Sequence, residues 1–331
     1  MAADRWGAED IGDLTGRTAL VTGANSGIGE ATAAAMAVHG AHVVLACRDE
    51  GRALRTADRI VGRAPEATVE VLRLDLASQA SVRDAAARLR DRHDRIDLLV
   101  NNAGVMATPF ALSEDGFERQ FATNHLGPFA FTGLVLDLLL TTMGSRVVTV
   151  SSWAHWIGAL RLSSPEALQQ LGGGYQRWFA YANSKLANLL FTGELDRRLR
   201  AAGTTTLAVA AHPGTARTEL SANGPLLGRS GARARLGRLT SGLGQSAAAG
   251  ALPSLYAATA SGVGGGEYFG PRWLGQQFGP PARVRSSARS HRVDDAARLW
   301  ALSEELTGVV YALGDPSTGA GAPGHGRPAT P

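Results

Sequence analysis

The 331-residue chain holds one cysteine, Cys47, and one lysine, Lys185. A lone cysteine excludes an intramolecular disulfide and fits a reducing compartment. Histidine and cysteine never occur together at ligand spacing, so no metal is expected. No apolar run reaches the roughly 18 residues of a membrane span. The most apolar stretch, 126–140, is broken by Asp137. The N-terminus, MAADRWGAEDIGD, is acidic and polar, and no signal peptide is visible in it. These absences lead to an expectation of a cytoplasmic protein. Charged residues make up 19% of the chain, and the net charge is only +4. No basic field for nucleic acid results. Two local Arg runs, 229–238 and 283–292, read as solvated surface or as a contact for an anionic partner. The lysine count has a further meaning. Of 33 basic residues only one is Lys. The two cations exchange freely on most solvated surfaces, so a single surviving Lys asks for a reason.

Apolar residues reach 44% and glycines number 41, enough for a sizeable core with many turns. Short β-branched runs stand at 17–22, 42–46, 68–74, 97–101, 146–151 and 205–211. Helical stretches at 28–39, 50–62, 79–92, 116–142 and 180–201 separate them. Several of the strands are apolar on nearly every residue, as strands covered on both faces are. The alternation predicts an α/β fold, a doubly wound parallel sheet flanked by helices, in a single domain over 1–313. Its dinucleotide-binding core is placed at 14–218. A substrate-side lid and C-terminal helices occupy 219–313, with a helix near 246–260, a short strand near 267–269 and a helix at 293–307. A disordered tail is expected over 314–331.

The first strand runs into Thr22-Gly23-Ala24-Asn25-Ser26-Gly27-Ile28-Gly29, after which a helix begins. This is the Rossmann-type order of strand, Gly-rich turn and helix. Gly23 permits the tight turn, Gly27 a close backbone approach to a pyrophosphate, and Gly29 close helix–strand packing. The helix start, with Asn25, Ser26 and Ile28, offers N–H groups to phosphate. The second strand ends Ala46-Cys47-Arg48-Asp49. An NAD site usually has a carboxylate there for the ribose. Cys47 stands in its place, and Arg48 can pair with a 2′-phosphate, so NADP(H) is favoured over NAD(H). A strand ending one residue later would bring Asp49 to the ribose instead.

Tyr181 and Lys185 stand four apart, on one face of a helix. An ammonium beside a phenol favours the phenolate and lowers its pKa. Lys185 is also a three-donor point charge able to reach ribose hydroxyls. Ser151 and Ser152 close the fifth strand, at the edge where open α/β sheets bind ligands.

With these motifs in order the chain resembles the short-chain dehydrogenase/reductase family over roughly residues 14–312. The motifs are TGxxxGIG at Gly23 to Gly29, NNAG at Asn101 to Gly104, Asn124, Ser151-Ser152, YxxSK at Tyr181 to Lys185, and His212-Pro213-Gly214-Thr215 with Thr218. The resemblance implies an NADP-dependent oxidoreductase that moves hydride between nicotinamide and a carbonyl or secondary alcohol. It makes Tyr181 the general acid/base and Lys185 the residue that lowers its pKa and holds the nicotinamide ribose. Ser152 binds the substrate oxygen, and Asn124 positions a water of the proton relay. Asp75, with Leu76, contacts the adenine. Asn102, Ala103 and Gly104 line the adenosine side, and Pro213, Gly214, Thr215 and Thr218 face the nicotinamide and diphosphate. The family also forms homo-oligomers through its fourth and fifth crossover helices.

One departure is the segment 153–180 between Ser152 and Tyr181, longer than in many members, with Trp153, His155, Trp156 and Trp178. VSSWAH, FAYANSKLANLLFTGEL and AHPGTARTEL are similar to the retinol-dehydrogenase-like branch, which carries such an insert. That branch also has Ala-Cys-Arg-Asp after the second strand. Leu220, Leu226, Leu227, Leu236, Leu243, Trp273 and Phe278 point to an apolar small-molecule substrate or to packing of the lid. Two other readings stay open: a nicotinamide-binding regulator without catalysis, and an epimerase or dehydratase of the extended relatives.

Overall fold

The computed structural model describes residues 6–169, 174–216 and 244–313. Thr218, the Arg run 229–238, Leu220, Leu226, Leu227, Leu236, Leu243, most of the 219–246 segment and the tail from 314 lie outside the described residues.

Eight strands form one sheet: β1 (Thr18–Thr22), β2 (His42–Cys47), β3 (Val69–Arg73), β4 (Leu98–Asn101), β5 (Arg146–Val150), β6 (Leu207–Ala211), β7 (Tyr268–Trp273) and β8 (Phe278–Arg283). Their order is β3-β2-β1-β4-β5-β6-β7-β8. The first seven are parallel, and β8 runs antiparallel to β7. The winding reverses between β1 and β4, which makes the carboxyl ends of these two strands the binding crevice of such a sheet.

Successive strand side chains alternate between two apolar layers. Ala19 and Val21 face one layer with Met36 of α1 (Gly27–Val38), and Leu20 faces the other. α2 (Glu50–Arg63) and α3 (Gln79–Arg92) follow β2 and β3, and each starts on a side-chain cap, Asp49 and Ser78. Leu20, Val44, Leu72 and Leu99 meet Val82 and Leu89 of α3 and Phe129 and Phe131 of α4 (Gly127–Leu134). The same layer takes Phe191 and Leu195 of α5 (Arg177–Ala201) and Trp300 of α7 (Val293–Thr307). α6 (Ala247–Thr259) covers the opposite face beside α1. Each large apolar side chain fully buried in this way contributes about 1.5–3 kcal/mol before entropy is counted.

Three departures from the sequence reading have physical causes. The helix expected over 116–142 is broken into Arg119–Phe121, a π turn at Ala122–Leu126, α4 and Leu136–Leu140. Pro128 has no N–H for the carbonyl of Asn124 four residues back. At Gly127 a Cβ would lie 2.1 Å from the Leu76 carbonyl oxygen, so the helix is pressed onto the β3–α3 loop. Second, β2 runs one residue longer than expected, to Cys47. Third, β7 is longer than expected and continues into β8, which two consecutive prolines hide from sequence reasoning. The turn between them places Leu274, Gly275 and Gln276 in the left-handed region. Among the described residues no helix is long and apolar enough to cross a membrane.

Candidate active site

The glycine turn sits at the crevice. Gly23 and Gly27 adopt φ values of 66° and 57°, which side chains rarely accept. Ser26 is the N-cap of α1 but makes no side-chain cap bond. The N–H groups of the first turn are therefore left to an incoming anion at the positive end of the helix dipole. Thr22 Oγ1 accepts from the backbone N–H groups of Asn102 and Ala103, both at 3.0 Å. Asn102 Nδ2 donates to the Thr22 carbonyl at 2.8 Å. These bonds seat Asn102-Ala103-Gly104 against the turn. At Gly29 a Cβ would lie 2.3 Å from the Gly23 carbonyl oxygen and 2.5 Å from Asn102 Nδ2. An uncapped helix start beside a glycine-only approach fits a pyrophosphate. Gly29→Ala is expected to destabilise the fold by about 1–3 kcal/mol through overpacking. The sign is diagnostic, because Gly→Ala inside a helix otherwise stabilises by about 1 kcal/mol. A denaturation midpoint that rises or stays level would remove the close-packing explanation.

At the adenosine end, Cys47 is buried, and burial pushes its thiol up to about 12, so it brings no negative charge. Asp49, just past the end of β2, is exposed. It caps α2 by accepting from the Arg52 N–H at 2.9 Å. Arg48 is exposed. Next to the turn, a polar cleft is lined by Asn25, Ser26, Gly27 and Glu30 and by Arg52, Arg55 and Arg59 of α2, with Arg59 paired to Glu30, while Arg48 is not part of its wall. Sequence reasoning missed Arg52 and Arg55, although their spacing from the helix start puts them on one face of α2. Thr56 ties that face to the Asn25 carbonyl at 3.4 Å. Asp75 Oδ1 accepts from its own loop at the Ala77 N–H, 3.0 Å away, and the Leu76 carbonyl abuts Gly127.

At the other end of the crevice, Ser152 follows β5 and begins a 3-10 turn over Trp153–Ile157, its Oγ accepting from the Ala154 N–H at 3.2 Å. Tyr181 and Lys185 project from α5, with Lys185 Nζ 5.8 Å from the centre of the Tyr181 ring. Lys185 is 4% exposed and donates to the Val150 carbonyl at 3.0 Å. Its other donors remain for a ligand. Asn188 shares the same carbonyl at 3.1 Å, and Ser151 Oγ donates to the Lys185 carbonyl at 2.7 Å. Asn124 spends its side-chain amide inside the chain. Its Oδ1 accepts from Val105 N–H (2.7 Å), and its Nδ2 donates to Val105 O and Ser184 Oγ (both 2.9 Å). Ser184 in turn donates to the Tyr181 carbonyl at 2.7 Å. At Gly104 a Cβ would lie 3.1 Å from Asn124 Oδ1 and 3.4 Å from Lys185 Nζ. The loop after β4, the π turn and α5 thus meet at one point.

The electrostatics differ from the sequence expectation. Burial raises the Tyr181 phenol above its ordinary range, and hydrogen bonding with Ser152 opposes that rise. Burial also lowers Lys185 to about 8. In the chain alone desolvation decides the direction, and the phenol is protonated at neutral pH.

Pro213-Gly214-Thr215 packs against the β7–β8 turn. Thr215 N–H donates to the Gln277 carbonyl at 3.2 Å, and a Cβ on Gly214 would lie 2.4 Å from that oxygen. In the insert, His155 is buried rather than open to the crevice. Its Nδ1 bonds the Ser152 carbonyl at 2.7 Å and its Nε2 accepts from Ser287 N–H at 3.1 Å. It ties the Ser152 turn to the C-terminal segment. Trp156 stands at the surface, as do Trp153 and Trp178. Trp273 is exposed and Phe278 half-buried.

Residues 17–164 match the family model described as short chain dehydrogenase. The chain is 40% identical to "Retinol dehydrogenase 13" of Homo sapiens over 298 residues, 89% of this chain and 86% of that protein. It is 38% identical to "Retinol dehydrogenase 12" of Mus musculus, covering 90% of this chain and 88% of that one. A crystal structure of an uncharacterised protein from Mycobacterium paratuberculosis is 42% identical, with a TM-score of 0.75, covering 93% of this chain and all of that one. The cradle, the buried Tyr–Lys pair and these likenesses agree: the chain belongs to the short-chain dehydrogenase family, in its retinol-dehydrogenase-like branch, and is a nicotinamide-dependent oxidoreductase acting on alcohol and carbonyl groups.

Proposed function

We propose that the protein moves hydride between NADP(H) and the carbonyl or alcohol carbon of an apolar small molecule, with Tyr181 as general acid/base. The observation that carries this reading is the convergence of Tyr181, Ser152, Lys185 and Asn124 at the carboxyl ends of β4 and β5. The bound nicotinamide supplies or accepts the hydride. Ser152 orients the substrate oxygen. In reduction the Tyr181 O–H bond breaks as the substrate O–H bond forms, and oxidation runs the reverse. Lys185 offers its remaining donors to the nicotinamide ribose and, as a cation, favours the phenolate when Tyr181 has given up its proton. Asn124, fixed between Val105 and Ser184 beside Lys185, would position a water of the proton relay. A non-catalytic regulator would have no use for this hydroxyl–ammonium arrangement.

The choice of NADP rests on charge. Cys47 is neutral, Asp49 has one oxygen engaged at the α2 cap, and Glu30 in the cleft is paired with Arg59. Arg52 and Arg55 in the cleft beside the glycine turn, and the exposed Arg48 after β2, would supply cations for a 2′-phosphate. Fluorescence titration is expected to show NADPH binding at least tenfold tighter than NADH, a difference of about 1.4 kcal/mol. Arg48→Ala together with Arg55→Ala is expected to erase that preference. A preference for NADH in the unaltered protein would overturn the assignment. Apolarity of the substrate is supported by the surface aromatics Trp153 and Trp156 after Ser152, and Trp178 and Phe179 before Tyr181. The relatives' names make retinoid-type alcohols and aldehydes the first compounds to assay.

A further inference from the structure

At the end of the sheet away from the nicotinamide site, three side chains from three elements face one point. His42 opens β2, Glu70 lies in β3, and His93 is the C-cap of α3. Glu70 pairs with Val44, two residues beyond His42, so both side chains share the sheet face that α3 covers. His93, where α3 stops, closes the group. His93 Nε2 lies 2.9 Å from Glu70 Oε2, and His42 Nε2 lies 3.7 Å from the same oxygen. All three ligand-type atoms fall within 4.8 Å of one another. The imidazole rings stand 5.2 Å apart. Sequence spacing hides the group because long stretches of chain separate its members.

We propose that His42, Glu70 and His93 form a binding site for a divalent metal ion of the zinc type. Zinc holds nitrogen and oxygen ligands at about 2.0–2.2 Å, which places tetrahedral neighbours roughly 3.4 Å apart. The observed separations of 2.9 and 3.7 Å bracket that value, and a small movement completes the third edge. Two imidazoles and a carboxylate are a borderline-soft donor set suited to Zn²⁺ rather than to Mg²⁺ or Ca²⁺. Water takes the fourth position. Arg92 Nη1 binds the other carboxylate oxygen, Oε1, at 2.7 Å. It fixes Glu70 so that Oε2 alone is presented, the outer support that metal-binding carboxylates commonly have. On binding, the proton shared between His93 Nε2 and Glu70 passes to His93 Nδ1 or to solvent. The ion would clamp α3 to the two outermost parallel strands, a structural function separate from hydride transfer.

The test uses the full-length protein after chelation and dialysis. Zn²⁺ is titrated by calorimetry and Co²⁺ by visible absorption. The expected result is one equivalent bound per chain, with the intense ligand-field bands of tetrahedral Co²⁺. His42→Asn and His93→Gln should each weaken binding by about tenfold or more, leaving nicotinamide-dependent turnover unchanged. Saturating Zn²⁺ should raise the melting temperature of the unaltered protein and of neither variant. No stoichiometric binding, or binding that survives both substitutions, overturns the site. If a variant fails to fold, Glu70→Gln, which keeps shape and removes the charge, decides between the two outcomes.

Discussion

Tyr181→Phe is expected to lower the rate of hydride transfer by roughly 10²–10⁴-fold while NADPH still binds. The ring sits almost wholly buried at the start of α5, so Phe fills its space and removes one oxygen. That oxygen carries the proton that must reach the substrate. Ser152 is its hydrogen-bond partner but sits on a different element, and its Oγ already accepts from the Ala154 N–H. It cannot take over an acid's part, because an aliphatic hydroxyl gives up its proton far less readily than a phenol. Single-turnover absorbance at saturating NADPH isolates the chemical step from binding. A variant within tenfold of the parent rate would mean that the proton comes from elsewhere.

A second large effect is expected on stability in mild acid. His125 and His212 are both fully buried, and burial holds each down to about 3. His125 Nε2 bonds Ser303 Oγ at 2.9 Å, its ring lies among Phe121, Phe129 and Phe191, and its Nδ1 has no partner. His212 Nδ1 accepts from the Gly214 N–H at 3.3 Å. Its Nε2 fits only because residue 270 is Gly, where a Cβ would lie 2.0 Å away. Neither ring has a carboxylate beside it to compensate a positive charge. The folded pKa values lie below the unfolded value near 6.5, so between them the unfolded chain holds more protons. The neutral-imidazole stability is fully present above pH 6.5 and is lost progressively as the pH falls towards 3. Each ring costs about 1.4 kcal/mol per pH unit once the unfolded form is protonated, so the pair removes on the order of 3 kcal/mol between pH 6.5 and 5. His155, lowered in the same direction by burial, adds to the slope. Glu118, raised by burial, acts in the opposite sense nearer the carboxylate range. Urea midpoints at pH 7, 6 and 5 measure the loss. A flat profile over that window, or a slope unchanged in His125→Asn, would exclude these imidazoles as its source.

The parallel core and the site were readable in the sequence for different reasons. The strands could be found because both faces are covered, which leaves apolar runs with few polar interruptions. The glycine turn, Tyr181 and Lys185 stood out because local spacing carries their geometry. What escaped was decided by contacts between distant segments. The helix over 116–142 looked continuous, yet Gly127 meets Leu76 and Pro128 withdraws a donor. Asp49 was ambiguous until its bond to the Arg52 N–H showed it to be a cap. The direction of the Tyr181 shift could not come from a Tyr–Lys spacing, since burial decides it. His42, Glu70 and His93 come together only through the β2–β3 register and the length of α3.

The last strand has a bearing on how molecules of this protein coexist in solution. β8 ends the sheet order, and its outer backbone would ordinarily be a template for a strand from another molecule. Pro280 and Pro281 occupy its middle, and Pro281 stands opposite Pro271. Neither has an amide hydrogen to offer a newcomer. With two imino acids at its centre this strand is a poor partner for a further strand, as edge strands that resist edge-to-edge pairing commonly are.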